Sequence, residues 1–218
     1  TKIAKLDLGQ APFFEPDLEE QLKALQENGQ IVFTTDLESV IDGAQVLMIA
    51  VQTPPQSNGQ ADLSYLESVA EQIGKLLDHE ALVVVKSTVP VGTNRHVLKI
   101  IRDSLKLRGR EDLSDLIRIA SVPEFLREGS AIKDFLSPDR VVIGADDEVT
   151  FRTVEQIHEG IKSIFLRTSI ESAELIKVAS NAFLATKISF INEIANIVEG
   201  TGADVREIAR GVGLDKRI

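Results

Sequence analysis

Short apolar runs and helical patterns alternate along most of the chain. Five runs rich in valine and isoleucine lack strict polar alternation: 30–35 (QIVFTT), 44–51 (AQVLMIAV), 81–87 (ALVVVKS), 116–121 (LIRIAS) and 139–145 (DRVVIGA). Such runs predict strands buried on both faces of a parallel sheet. Between them, apolar residues recur at helical spacing. Residues 17–29 open on Asp17 and stop at Gly29; residues 62–77 open on Asp62, with apolar Leu63, Leu66, Val69, Ala70 and Ile73. Helices are also predicted over 93–105 and 147–164. Strand–helix alternation of this kind predicts a doubly wound α/β domain.

A second pattern begins after residue 167. Residues 168–200 read as one long helix, with Thr168 and Glu171 at capping-box spacing, no interrupting proline, and Gly200 as the stop. Roughly thirty residues at about 1.5 Å each span about 45 Å. That exceeds one small domain, so the helix is predicted to link domains or subunits. A short helix over 204–213 follows. The first segment, TKIAKLDLG, is helix-like, and no G-x-G-x-x-G turn follows any strand. The predicted organisation is an incomplete doubly wound parallel sheet over 1–167, then a long helix and the start of a helical domain over 168–218.

Composition narrows the classes. Of 218 residues, 43% are hydrophobic and 27% charged, an ordinary globular balance. A net charge of −10 lacks the basic footprint that nucleic acid requires. The longest strongly apolar run, VLMIAV at 46–51, is too short to span a bilayer, and TKIAKLDLGQ carries no signal-peptide core. The expectation is a soluble, cytoplasmic protein with neither nucleic acid nor membrane as partner. The chain has no cysteine, which removes disulfides, thiolate metal sites and a cysteine nucleophile from within it. His79, His96 and His158 lie in charged helical segments without metal-ligand spacing, so they are expected at the surface and no metal site is expected.

Candidate chemistry gathers at the strand ends, where open α/β sheets bind ligands. Three loops leave the carboxyl ends of predicted strands: one with Thr53-Pro54-Pro55, one with Ser87, Thr88 and a Pro-Val-Gly turn, and one reading VPEFLREG. Any one of them is an ordinary strand–helix turn; together they predict one crevice. Thr88 and Thr93 flank a helix start, where free N–H groups favour anions; Thr93 reads as the N-cap and Thr88 as the ligand candidate. Lys177 and Asn181 share a face of the long helix among apolar neighbours. A lysine there needs a partner, and desolvation would suit it to proton transfer. The alternative, a snorkelling lysine and a solvated asparagine, is equally open from spacing. Glu124 and Glu128 sit on a turn for which Pro123 is the predicted first helical residue and Gly129 the stop. They read as a capped turn with an exposed carboxylate paired to Arg127, or as paired catalytic carboxylates.

The motifs resemble the UDP-glucose/GDP-mannose dehydrogenase family. The segments that carry the resemblance are 13–22 (FFEPDLEEQL), 33–54, 59–69, 83–93 (VVVKSTVPVGT), 123–135 (PEFLREGSAIKDF), 137–144, 173–195 (AELIKVASNAFLATKISFINEIA) and 202–218. They run in order over essentially the whole chain. The resemblance implies a Rossmann-like NAD-binding domain, a long central helix that builds a homodimer, and a helical dimerisation domain. It implies oxidation of a UDP-sugar at C6 to the carboxylate in two hydride transfers to NAD, through a thiohemiacetal and a thioester on a cysteine.

By resemblance, Glu124 positions the hydrolytic water and Glu128 lies beside the nicotinamide. Thr53 and Thr88 are cofactor-side contacts, with Thr88 also near the reacting centre. Lys177 stabilises the alkoxide and moves its proton, and Asn181 partners it at the sugar. The backbone of Phe125 and Leu126 holds the substrate, and Arg217 reaches the sugar nucleotide across the dimer. The sequence departs from the family at Val122, where asparagine is common, and at Gln52, where proline is common. The glycine-rich turn and the cysteine are expected outside Thr1–Ile218, so these residues alone are expected not to turn over. STVPVGT and ADLSY favour UDP-glucose over UDP-N-acetylmannosamine or GDP-mannose. A β-hydroxyacid dehydrogenase, which also carries a Lys-x-x-x-Asn helix, and a non-catalytic nucleotide-sugar-binding or dimerisation module are the competing readings.

Overall fold

A computed structural model describes residues 2–218. Helices α1 (Lys2–Leu6), α2 (Leu18–Glu27) and α3 (Glu38–Ile41) precede the sheet. Then follow β1 (Val46–Ile49), α4 (Ser64–Leu76), β2 (Ala81–Val85), α5 (Thr93–Leu107), β3 (Ile117–Ser121), α6 (Ala131–Leu136), β4 (Arg140–Gly144), α7 (Glu148–Ile157) and β5 (Ile164–Thr168). The chain closes with α8 (Ile170–Val198) and α9 (Val205–Gly213). It divides into two compact units, Thr1–Lys177 and Val178–Ile218.

The five strands form one sheet in the order β1-β2-β3-β4-β5. β1, β2 and β3 are parallel, as are β4 and β5; β3 meets β4 antiparallel at Ser121 and Gly144. Every residue of β2 is buried, as its unbroken apolar sequence requires of a central strand. Its alternation feeds two cores. Val83 and Val85 join Leu66, Ile73, Val97, Ile101 and Leu105 from α4 and α5. Leu82 and Val84 join Val141, Ile143 and Val154 on the other face. Helices therefore cover both faces of the strands that end at the predicted crevice.

Two glycines set how closely layers approach. A Cβ on Gly74 of α4 would lie 2.8 Å from the Ile101 carbonyl oxygen of α5. One on Gly144 of β4 would lie 2.8 Å from Ile170 Cα and 2.6 Å from Ala173 Cβ, in the first turn of α8. That contact seats the start of α8 against the sheet.

Several expectations are corrected. Residues 30–35 form no strand: the stretch has no ladder partner among the described residues, and Val32 is 77% exposed. The helix predicted over 147–164 stops at Ile157, where Gly160 turns the chain at φ 89°, and Ile164–Thr168 is a strand. The capping box slips by one residue. Thr168 ends β5, and the Ser169 hydroxyl accepts from Ser172 N–H instead. Asp17 is left-handed at φ 64° and makes no side-chain cap. His158 is buried, not at the surface; its Nδ1 bonds the Val154 carbonyl and its ring packs near Phe135 and Phe165.

Candidate active site

The parallel ladders run past the strand ends and fix where the loops start. Lys86 N–H donates to the Ile49 carbonyl at 2.8 Å, and Val122 N–H to the Val85 carbonyl at 3.0 Å. Side chains then cross-link the first two loops: the Thr53 hydroxyl donates to the Thr88 carbonyl at 2.8 Å, and Ser87 to the Val51 carbonyl at 2.7 Å. The third loop brings Glu124 and Leu126 to the same place. Together they enclose an open cleft of about 570 Å³, lined by Val51, Thr53, Lys86, Thr88, Glu124 and Leu126 among others. The three loops thus meet in one crevice.

The expected anion site at the start of α5 is closed by the protein itself. Gly92, at φ 91°, and Asn94 point their backbone N–H groups at Glu174 of α8, at 2.7 and 2.8 Å. The Asn94 amide nitrogen donates to the same carboxylate at 2.6 Å. Glu174 is buried, and a buried carboxylate needs such donors. Thr93 is not the N-cap: it is the first helical residue, and its hydroxyl donates to the Pro90 carbonyl. The free N–H groups predicted here are therefore taken, and the Thr88 loop is pinned from behind.

The turn after β3 departs from its predicted form. Residues 122–127 form neither helix nor strand, so Pro123 does not start a helical turn; Gly129, at φ 79°, does turn the chain. Glu124 accepts from its own loop at Leu126 N–H, 2.6 Å, and from Lys177 Nζ at 3.3 Å. Lys177 is only 7% exposed, so the buried-lysine reading holds over the snorkelling one, and Glu124 is the partner it requires. Two cations lie over the Phe125 ring, Arg140 Cζ at 4.2 Å and Lys177 Nζ at 5.1 Å from its centre. Arg127 pairs with Asp134, at 2.6 Å, rather than with a glutamate.

Glu128 is exposed on the turn and is not among the cleft-lining residues. Asn181 is exposed one turn along α8 from Lys177, within the second unit. Arg217, also in the second unit, is exposed and pairs with Asp215. The structure thus joins Thr53, Thr88, Glu124, Phe125, Leu126 and Lys177 in one unit.

Three residues escaped the sequence reading. Glu174 is one; its signal was its place on the buried stripe Ile170, Ala173, Glu174, Lys177, spaced for one helix face. Glu15 is another: its buried carboxylate accepts from Gly129 N–H at 3.0 Å and Ile132 N–H at 3.4 Å, holding the turn that follows Glu124. The third is Lys86, directly after an all-apolar strand. Burial pushes its ammonium below the ordinary lysine range, and the charge of Glu124 partly offsets the shift.

Residues 1–162 match the UDP-glucose/GDP-mannose dehydrogenase family, NAD binding domain, and residues 171–218 match its central domain. The chain belongs to the UDP-glucose/GDP-mannose dehydrogenase family. It is 47% identical over 217 residues to UDP-glucose 6-dehydrogenase YwqF of Bacillus subtilis, covering all of this chain and 48% of that protein. It is 44% identical over 224 residues to UDP-glucose 6-dehydrogenase of Rhizobium meliloti, covering all of this chain and 49% of that protein. Among solved structures, a UDP-glucose dehydrogenase of Pyrobaculum islandicum superposes with a TM-score of 0.92 at 38% identity, covering all of this chain and half of that one. The chain spans about half the length of the curated relatives it matches. The family read from the motifs is the family found.

Proposed function

We propose that the chain is part of a nucleotide-sugar 6-dehydrogenase that oxidises UDP-glucose to UDP-glucuronate with NAD. On this reading residues 1–167 form the NAD-binding part, and residues 168–218 the long helix and the beginning of the dimerisation domain. The observation that carries it is the buried Lys177 held on Glu124, a residue that lines the strand-end cleft. The names of the relatives, UDP-glucose 6-dehydrogenases, favour that sugar nucleotide.

The cleft fits the nicotinamide end of the cofactor. Its wall is apolar at Val51, Pro54 and Leu126, with the Thr53 and Thr88 side chains as sparse polar groups. The start of α5 does not fit the pyrophosphate, since Glu174 occupies its N–H groups. NAD, when bound, accepts the hydride. The rest falls to side chains. Lys177 takes part in moving the proton off the C6 alcohol and stabilises the alkoxide that results, while Glu124 orients the water that ends the reaction. Thr88 lies at the reacting carbon, Phe125 and Leu126 hold the sugar nucleotide, and Glu128 lies on the nicotinamide side. Asn181 partners Lys177 at the sugar, and Arg217 reaches the sugar nucleotide across the dimer. The chain has no cysteine, so the thiol of the implied thioester route comes from outside these residues.

A homodimer through the long helix belongs to the same reading. Beyond Lys177, α8 leaves Phe183, Leu184, Ile188, Phe190 and Ile197 more than half exposed.

The test is NADH formation by the full-length protein with UDP-glucose, UDP-N-acetylmannosamine, GDP-mannose and a 3-hydroxy acid. The expected substrate is UDP-glucose, with Glu124→Gln stalling at the thioester, after the second hydride transfer. NADH from the hydroxy acid and none from a nucleotide sugar would overturn the reading.

A further inference from the structure

The loop after β1 carries Val51 and Thr53, and the loop after β2 carries Ser87 and Thr88. The backbone ladder between them ends where Lys86 N–H donates to the Ile49 carbonyl. Rungs of a parallel pair repeat every two residues, so the next would join Thr88 N–H to the Val51 carbonyl. Side chains replace it. The Ser87 hydroxyl donates to the Val51 carbonyl at 2.7 Å, and the Thr53 hydroxyl to the Thr88 carbonyl at 2.8 Å. Each loop thus gives the other one hydroxyl proton and one carbonyl. The exchange keeps the two loops in register past the end of the ladder.

Thr88 is held at its backbone by both neighbours and by this exchange. Thr53 takes its carbonyl, Ser87 before it is tied to the β1 loop, and Val89 after it is 4% exposed in the core. The Thr88 hydroxyl itself has no partner among the described residues, and Thr88 lines the cleft. A carbonyl only accepts, so the Thr53 and Ser87 protons are committed. Of the three hydroxyls, the one on Thr88 keeps its proton for a ligand.

We propose that Ser87 is a positioning residue of the reaction: with Thr53 it clasps the β1 and β2 loops together and so fixes the Thr88 hydroxyl at the reacting carbon. The proposal rests on the dehydrogenase reading, which puts Thr88 there. The Ser87 hydroxyl is spent on Val51, so its effect passes through Thr88. A misplacement of about 1 Å can cost about a hundredfold in rate, so a bond of little weight in folding carries weight here.

Rapid mixing of the full-length protein with NAD and UDP-glucose tests the clasp, with the first NADH followed within one turnover. Ser87→Ala should slow that hydride transfer about tenfold, as a displacement smaller than about 1 Å would, and leave the KM for UDP-glucose unchanged. Thr88→Val should slow the same step. In the Thr88→Val background, Ser87→Ala should slow it no further, because the group it positions is gone.

Ser87→Ala with the wild-type rate would overturn the clasp, and so would Thr88→Val with the wild-type rate. Equal slowing by Ser87→Ala in both backgrounds, or a rise in KM alone, would mark a merely structural role and end the proposal too. Wild-type protein that forms no NADH with any nucleotide sugar would overturn the dehydrogenase reading and the clasp with it. Normal wild-type turnover with any of the failed arms overturns the clasp alone.

Discussion

Replacing Glu174 tests how the Thr88 loop is held. Its buried carboxylate accepts from Gly92 N–H, Asn94 N–H and the Asn94 side chain, at 2.7, 2.8 and 2.6 Å. Glu174→Ala removes all three acceptor contacts and leaves two backbone donors and a side-chain amide without them. Each buried orphan costs about 1–3 kcal/mol, less whatever water recovers, so the loss should be about 4 kcal/mol. Glu174→Gln keeps one acceptor oxygen but turns an NH₂ toward an N–H donor, for a loss of about 2 kcal/mol. Against a typical domain stability of about 5–15 kcal/mol, the alanine variant is the more severe by a margin that urea unfolding resolves. Amide exchange supplies the local readout: Gly92 and Asn94 should lose protection in both variants before β2 does. If both variants unfold within about 0.5 kcal/mol of wild type with those amides still protected, the carboxylate does not hold the loop.

Glu15→Ala should speed amide exchange at Gly129 and Ile132, the two donors it frees, and leave Gly92 unchanged. Gly144→Ala should destabilise by about 1–3 kcal/mol in urea unfolding, because its neighbours are backbone of α8 that cannot swing away. Gly211→Ala, inside α9 with nothing within 4 Å, should instead stabilise by about 1 kcal/mol. Side-chain hydrogen bonds hold two carboxylates below the ordinary range: Glu155 through Arg167, and Glu148 through Arg152 first and Arg167 second. That stability is present above the unfolded-state value of about 4 and is lost as pH falls through the lower folded values. The stability gap between wild type and Arg167→Gln should therefore be widest near neutrality and close below about pH 4.

Amphipathic helices were legible because their pattern is local. The helix predicted over 93–105 is Thr93–Leu107, and the long one over 168–200 is Ile170–Val198. Strands were legible where both neighbours exist, as in the all-buried β2. QIVFTT and IFLRT have similar apolar content, yet only the second is a strand, because only it finds a ladder, against β4. Pairing is a tertiary fact that a short run does not encode. The site divides the same way. Thr53, Thr88, Glu124 and Lys177 announced themselves by place or spacing. Glu174 and Glu15 did not, because their partners lie 80 and 114 residues away in sequence. Lys86 was overlooked because a lysine after a strand resembles a solubilising end, and only the fold shows that it lines the same cleft as Glu124.

The first two turns of α8 have little freedom of phase. Ile170 and Ala173 seat on Gly144, Glu174 caps α5, and Lys177 reaches Glu124. One added residue after Ala173 would rotate Glu174 and Lys177 by about 100° away from both loops at once. Point changes in either loop are separable events, but a change of helix length here is not. Insertions and deletions should therefore be excluded from Ile170 to Lys177, in a segment whose exposed positions, such as Leu175, still accept substitution.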